Sequence, residues 1–182
     1  MRKLSLTLFL AVSALAIVFT SCKKVLDAFF DPIESPLSVE ITIPIVTNTT
    51  SESALGASSV HFNLDSIIRK NTKDVFNINS IKSVKLKDMA VNLLNADQAN
   101  NLANFETFKV TFTSSANATP VILGTATNPD TYATSTVFPI SNSVELKNYL
   151  SGSDVTFTLY SKARRATDRT LTARVSVTLR SE

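Results

Sequence analysis

Between Leu171 and Leu179 every second residue is apolar: Leu171, Ala173, Val175, Val177 and Leu179, with Thr172, Arg174, Ser176, Thr178 and then Arg180 between and after them. A period of two puts one set on one face of an extended chain and the other set on the opposite face. Wound into a helix, the same residues would scatter both sets around the surface and bury neither. The segment is therefore read as a strand with one side in a core. Val155, Phe157 and Leu159 repeat the pattern just before it, and the polar stretch from Lys162 to Arg169 joins the two. The pair predicts a C-terminal hairpin.

The same period recurs upstream. Leu37, Val39, Ile41, Ile43 and Ile45 alternate with Ser38, Glu40, Thr42 and Pro44. Pro44 cannot donate to a ladder, which predicts an edge strand. Val60, Phe62 and Leu64 alternate with His61, Asn63 and Asp65 and predict a second strand, followed by a helical turn over Ser66–Asn71. Phe108, Val110 and Phe112 alternate with Lys109 and Thr111. Val84 and Leu86 share one parity, whereas Met89, Val91 and Leu93 share the other. One extra residue flips the faces of a strand, so a β-bulge is expected around Lys87–Asp88, with two strands and a turn as the alternative. Weaker strands are expected over Pro120–Thr127 and Ser135–Ile140, on either side of the turn signal Asn128-Pro129-Asp130. Asn95–Asn104 reads as a polar connection with a short helix, and Val144–Leu150 as a helical turn. Seven or eight short strands with intervening turns predict an all-β fold, an antiparallel β-sandwich, with an immunoglobulin-like arrangement one option among several.

The first residues follow a different rule. Arg2 and Lys3 precede an uncharged apolar run, Leu4–Phe19, and the small residues Thr20 and Ser21 lead to Cys22, the one cysteine in the sequence. The order of charged, apolar and small residues is that of a secretory signal, which takes no part in the fold. With Cys22 directly after it, and Lys23 and Lys24 following, the segment resembles the signal peptide and lipobox of a bacterial lipoprotein of the Bacteroidota type. Phe19 stands where Leu is usual; Thr20 and Ser21 fit. The resemblance covers residues 1–24. It implies cleavage before Cys22, lipid on its thiol and new amine, and a membrane held through that lipid. Two or more acyl chains give stable anchoring where one does not. Lys23 in place of Asp further implies the outer membrane, with the domain facing the periplasm and surface exposure the alternative. A stray core cysteine or a free thiol is the plainer account of Cys22. Its position relative to the apolar run speaks for the lipid.

The expected organisation is a leader over residues 1–21, a lipid-anchored tether over 22–36 and a sandwich over 37–182. Pro32 and Pro36 favour an extended tether. Val25, Leu26, Ala28, Phe29 and Phe30 are read as packing back on the domain in preference to lying on the membrane. The net charge of +3 shrinks once Arg2 and Lys3 are gone, because 18 basic residues become 16 against 15 acidic ones. Nucleic acid is not an expected partner. With three glycines in the chain, Gly56, Gly124 and Gly152, there is no phosphate-binding loop of a common kind.

Candidate chemistry is sparse. His61 is the sole histidine and no motif supplies it with a partner, so a solvated strand residue is the simpler account. Zinc needs a convergent set of ligands that this composition lacks. Asn95, Asp97, Asn100 and Asn101 offer oxygens without EF-hand order, and read as a polar loop before a calcium site. Lys162, Arg164, Arg165 and Arg169 cluster beside Asp168, with Tyr160 near them. They form the candidate interaction patch, for an anionic lipid or an acidic partner, against the plainer account of a solvated turn. Tyr132, Tyr149 and Tyr160 are the aromatic rings available for a glycan, there being no Trp. Asp65-Ser66-Ile67 resembles the O-glycosylation triplet of exported Bacteroidota proteins, which makes Ser66 the acceptor; a serine opening a helical turn is the structural alternative. No catalytic residue, cofactor or metal is expected. The function expected is a non-enzymatic, lipid-anchored envelope protein that binds or supports an outer-membrane partner. The alternative is a surface-exposed, glycan-binding accessory lipoprotein.

Overall fold

The computed structural model describes residues 31–140, 144–152 and 154–182, so Cys22, the apolar leader and the stretch Val25–Phe30 lie outside the described residues. Within them the alternating segments are strands. They are β1 (Ile33–Ile43), β2 (Ser53–His61), β3 (Val84–Leu93), β4 (Phe105–Ser114), β5 (Val121–Thr127), β6 (Ser135–Val137), β7 (Asp154–Ala163) and β8 (Leu171–Ser181), with a short helix α1 (Leu64–Thr72) between β2 and β3. One sheet has the order β1-β8-β3-β6 and the other β2-β7-β4-β5. Every pairing is antiparallel. Successive strands change sheet at every step except β4 to β5. Eight strands wound in this way make the double-sheet jelly roll, not the immunoglobulin-like order kept open above.

The faces fall as the period predicts. Val155, Phe157 and Leu159 of β7 are buried, as are Leu171, Ala173, Val175, Val177 and Leu179 of β8. Phe112 packs edge-on to Phe157 with ring centroids 5.1 Å apart, and Phe105 lies 5.1 Å from Phe108. In β3 the register against β8 shifts between Leu86 and Asp88, which makes Lys87 the extra residue. The bulge lets Val84, Leu86, Met89, Val91 and Leu93 all reach the core.

Three expectations need correction. β7 and β8 do not form a hairpin: β7 pairs with β2 and β4, and β8 with β1 and β3. Their connection crosses from one sheet to the other, a gap of about 10 Å. It contains no two-residue Asn-Gly or Gly-X turn of the kind that closes hairpins, and alternation alone does not tell a strand beside its neighbour from a strand facing it. Second, β1 starts at Ile33, inside the segment read as tether, because Ile33 already pairs with Ser181. It stops at Ile43: Ile45 is 53% exposed and Val46 is buried. β1 is an edge strand, but the proline within it is Pro36. Third, the second strand lies earlier than expected, ending at His61. Asn63 then caps α1 by accepting the Ser66 backbone N–H at 2.9 Å, so Leu64 and Ile68 enter the core from a helix face.

The edges close tightly. Gly56 of β2 lies against the backbone of Thr42 in β1, where a Cβ would come within 2.5 Å of the carbonyl oxygen. At the other edge Gly124 of β5 faces Met89 and Phe138.

Candidate binding site

The winding gathers four connections at one end of the sandwich: β1–β2 (44–52), β3–β4 (94–104), β5–β6 (128–134) and β7–β8 (164–170). The chain enters β1 at Ile33 and leaves β8 at Ser181, which are paired with each other at the opposite end. Apart from the shorter β5 and β6, the strands between the two ends are roughly 30 Å or more long at about 3.3 Å per residue.

Asparagines build the loop end. Asn101 and Asn104 cap a single 3-10 turn reciprocally: the Asn101 side chain accepts the Ala103 N–H at 2.9 Å, and Asn104 Oδ1 accepts the Asn101 N–H at 2.9 Å. Asn104 Nδ2 also donates to the carbonyls of Ala99 at 3.1 Å and Ala166 at 3.0 Å. Its own carbonyl accepts the N–H groups of Arg164 and Arg165. Asn104 thus ties β3–β4 to β7–β8, and the bond from Leu102 N–H to Ala133 O at 2.9 Å ties β3–β4 to β5–β6. Asn100 and Asp168 exchange hydrogen bonds of 2.7 and 3.0 Å. The loop read as a polar surface connection, with a calcium site as the alternative, is a structural hub: Asn100, Asn101 and Asn104 are all buried. Asn104 was missed, although its spacing from Asn101 follows the capping-box pattern. Among the described residues no group of three or more His, Cys, Asp or Glu could hold a metal ion.

Asp97 anchors this hub. Its carboxyl lies below its ordinary value of 3.8, first because the Asn100 N–H donates to it, with further help from the Asn100 side chain, the Ala99 N–H and Arg169, and against desolvation. A carboxyl depressed by folding contributes stability above its unfolded value and loses it as pH falls through its folded value. The Ala99 and Asn100 amide resonances are accordingly expected to follow a titration whose midpoint lies below 3.8 in an NMR experiment. A midpoint above 3.8 would show that Asp97 does not anchor the loop.

The candidate patch is brought together here, but its charges are paired. Lys162 meets Glu106 at 2.7 Å, and Arg169 meets Asp97 at 3.0 Å. Arg165 pairs with Asp130, which Arg164 approaches at 3.7 Å. Arg164 also donates to the carbonyls of Ala103 at 3.0 Å, Asn128 at 3.3 Å and Pro129 at 3.4 Å. With Asp168, the patch and its partners comprise four cations and four carboxylates. Tyr160 lies under Lys109, 4.7 Å from ring centroid to Nζ. Lys162 holds Glu106 below the usual carboxylate range.

Between the β3–β4, β5–β6 and β7–β8 loops lies a cleft of about 210 Å³, lined by Gln98, Asn104, Asp130, Thr131, Tyr132 and Arg165 among others. Tyr132 is 50% exposed there. The remaining candidates lie elsewhere. Tyr149 packs on Phe112 at 5.8 Å. His61, at the far end of β2, lies 3.3 Å from Asp154, with both side chains exposed. Ser66 is exposed in the first turn of α1, beside an Asp65 whose carboxylate accepts the Ile78 N–H at 2.8 Å and pairs with Arg69 at 2.7 Å.

No family model and no curated protein matches this chain. Solved structures similar to it include the infectious bursal disease virus Gx strain, at 8% identity over 83% of this chain and 32% of that one, with a TM-score of 0.42. Infectious bursal virus derived T=1 particles match at 10% identity over 82% of this chain and 31% of theirs, with a TM-score of 0.41. The Drosophila NLP-core matches at 16% identity over 80% and 95%, with a TM-score of 0.31. The chain spans about a third of the length of the first two.

Proposed function

We propose that this chain is a non-enzymatic, lipid-anchored envelope protein of the outer membrane that binds a partner with the loop end of its sandwich, facing the periplasm. The observation that carries the reading is the pairing of Ile33 with Ser181 at the end opposite the four gathered loops. A chain tethered through Cys22 would be held at that end and would present the loop end to its surroundings. The eleven residues from Cys22 to Pro32 reach at most about 40 Å when fully extended. The sorting residue Lys23 and the lipobox-like order around Cys22 supply the membrane part of the proposal.

Cys22→Ala is expected to abolish fatty-acid labelling and move the protein from the membrane to the soluble fraction. Retention of the unlabelled variant in the membrane fraction would overturn the lipid anchor. The glycan-binding alternative, with the domain outside the cell, is favoured by one observation, the exposed Tyr132 ring in a polar cleft. Protease treatment of whole cells separates the two orientations: cleavage of the domain in intact cells places it on the surface, and protection places it in the periplasm.

A further inference from the structure

We infer that the cleft between the β3–β4, β5–β6 and β7–β8 loops is a binding site for one ring of a neutral saccharide, stacked on Tyr132. This deepens the binding role proposed above by naming the ligand class, and it does not depend on Cys22. Three observations combine.

The first is charge. The four cations of the patch are all paired, with Glu106, Asp97 or Asp130, and the ion pair in the cleft lining, Arg165 with Asp130, is already closed. An anionic ligand would have to break that pair and would still meet Asp130. A neutral ligand does not, and it can use what the pair leaves over. Asp130 keeps a second oxygen to accept, Arg165 keeps N–H groups to donate, and Gln98 and Thr131 can do both. Neighbouring hydroxyls on a sugar ring are donors and acceptors at fixed spacing, which suits planar carboxylate, guanidinium and amide groups.

The second is Tyr132, a half-exposed aromatic residue in the lining of a mostly polar cleft. A phenol ring has an apolar face and a polar tip. The C–H face of a sugar ring covers the first, while its hydroxyls reach the second.

The third is size and stiffness. About 210 Å³ lies below the roughly 300–1,000 Å³ of pockets that enclose a drug-sized molecule. It suits one ring of a longer chain whose other rings stay in solvent. Asn101 and Asn104 spend their side chains on the loop backbone and fix the walls in advance, so little ordering is left for binding.

The test is saturation-transfer NMR on the mature chain in detergent micelles. The probes are maltotetraose, cellotetraose, laminaritetraose and mannotetraose, with a heparin-derived tetrasaccharide as the anionic control. Transfer to at least one neutral probe is expected, little changed by added salt and weakened at least about tenfold in Tyr132→Ala. The Tyr132 ring is exposed, so an unchanged amide spectrum in that variant shows that the fold is intact. Transfer to the heparin fragment alone, transfer to no probe, or neutral binding that survives Tyr132→Ala would each overturn the inference. None of these outcomes bears on fatty-acid labelling at Cys22, so failure here is distinct from failure of the anchor.

Discussion

Gly56→Val is expected to destabilise the domain by about 3 kcal/mol, at the top of the range for overpacking. The new Cβ would lie 2.5 Å from the Thr42 carbonyl oxygen and 2.8 Å from Ile41 Cγ2. The first contact is with backbone, which cannot rotate away. To make room, β1 must leave β2, and β1 is also ladder-bonded to β8 over its whole length. Gly124 provides the contrast: its Cβ would meet the flexible end of Met89 at 2.9 Å and the Phe138 ring at 3.2 Å, so Gly124→Ala should cost less. Urea unfolding of both variants checks this. A loss below about 1 kcal/mol in Gly56→Val would mean that the β1–β2 edge opens cheaply.

Asn104→Ala should cost about 1–3 kcal/mol, because removing one side chain leaves one buried donor and two part-buried acceptors unmet. The Ala99 and Ala166 carbonyls lose a donor and the Asn101 N–H loses its acceptor. Asn104→Asp should not rescue it, since a carboxylate accepts from Asn101 but cannot donate to either carbonyl. Because the bonds join two loops, faster amide exchange should spread across 97–104 and 164–168 while the β4–β7 ladder stays protected. Confinement of the faster exchange to residues 101–104 would show that Asn104 serves its own turn only.

Most strands and their faces were legible because a period of two survives any arrangement of neighbours; β2, which carries no regular apolar face, was not. Even the bulge at Lys87 could be read, since a change of parity is written in the residues themselves. What could not be read is which strand lies beside which. The supposed hairpin of β7 and β8 failed on this point, as alternation records a buried face and not a partner. The loop end was less legible still. Arg164, Arg165 and Arg169 form a cluster in sequence, and their counter-charges arrive from Asp97 and Asp130, more than 30 residues away. A dense run of cations therefore resembled a free patch. Asn101 and Asn104 did carry a local signal in their capping spacing, but the bond to Ala166 that makes Asn104 a hub belongs to the topology.

The antiparallel match of Ile33 with Ser181 and Ile43 with Leu171 also sets how the domain answers to force. A pull on the chain at Ile33, resisted by whatever grips the loop end, acts along the axis of β1. The hydrogen bonds to β8 run across that axis. They are stretched together in shear and cannot be opened one at a time like a zipper. At the same end, Glu182 exchanges backbone bonds with Ser83, which fastens the far end of β8 to the chain leading into β3. A pull in this direction therefore loads the whole β1–β8 ladder at once.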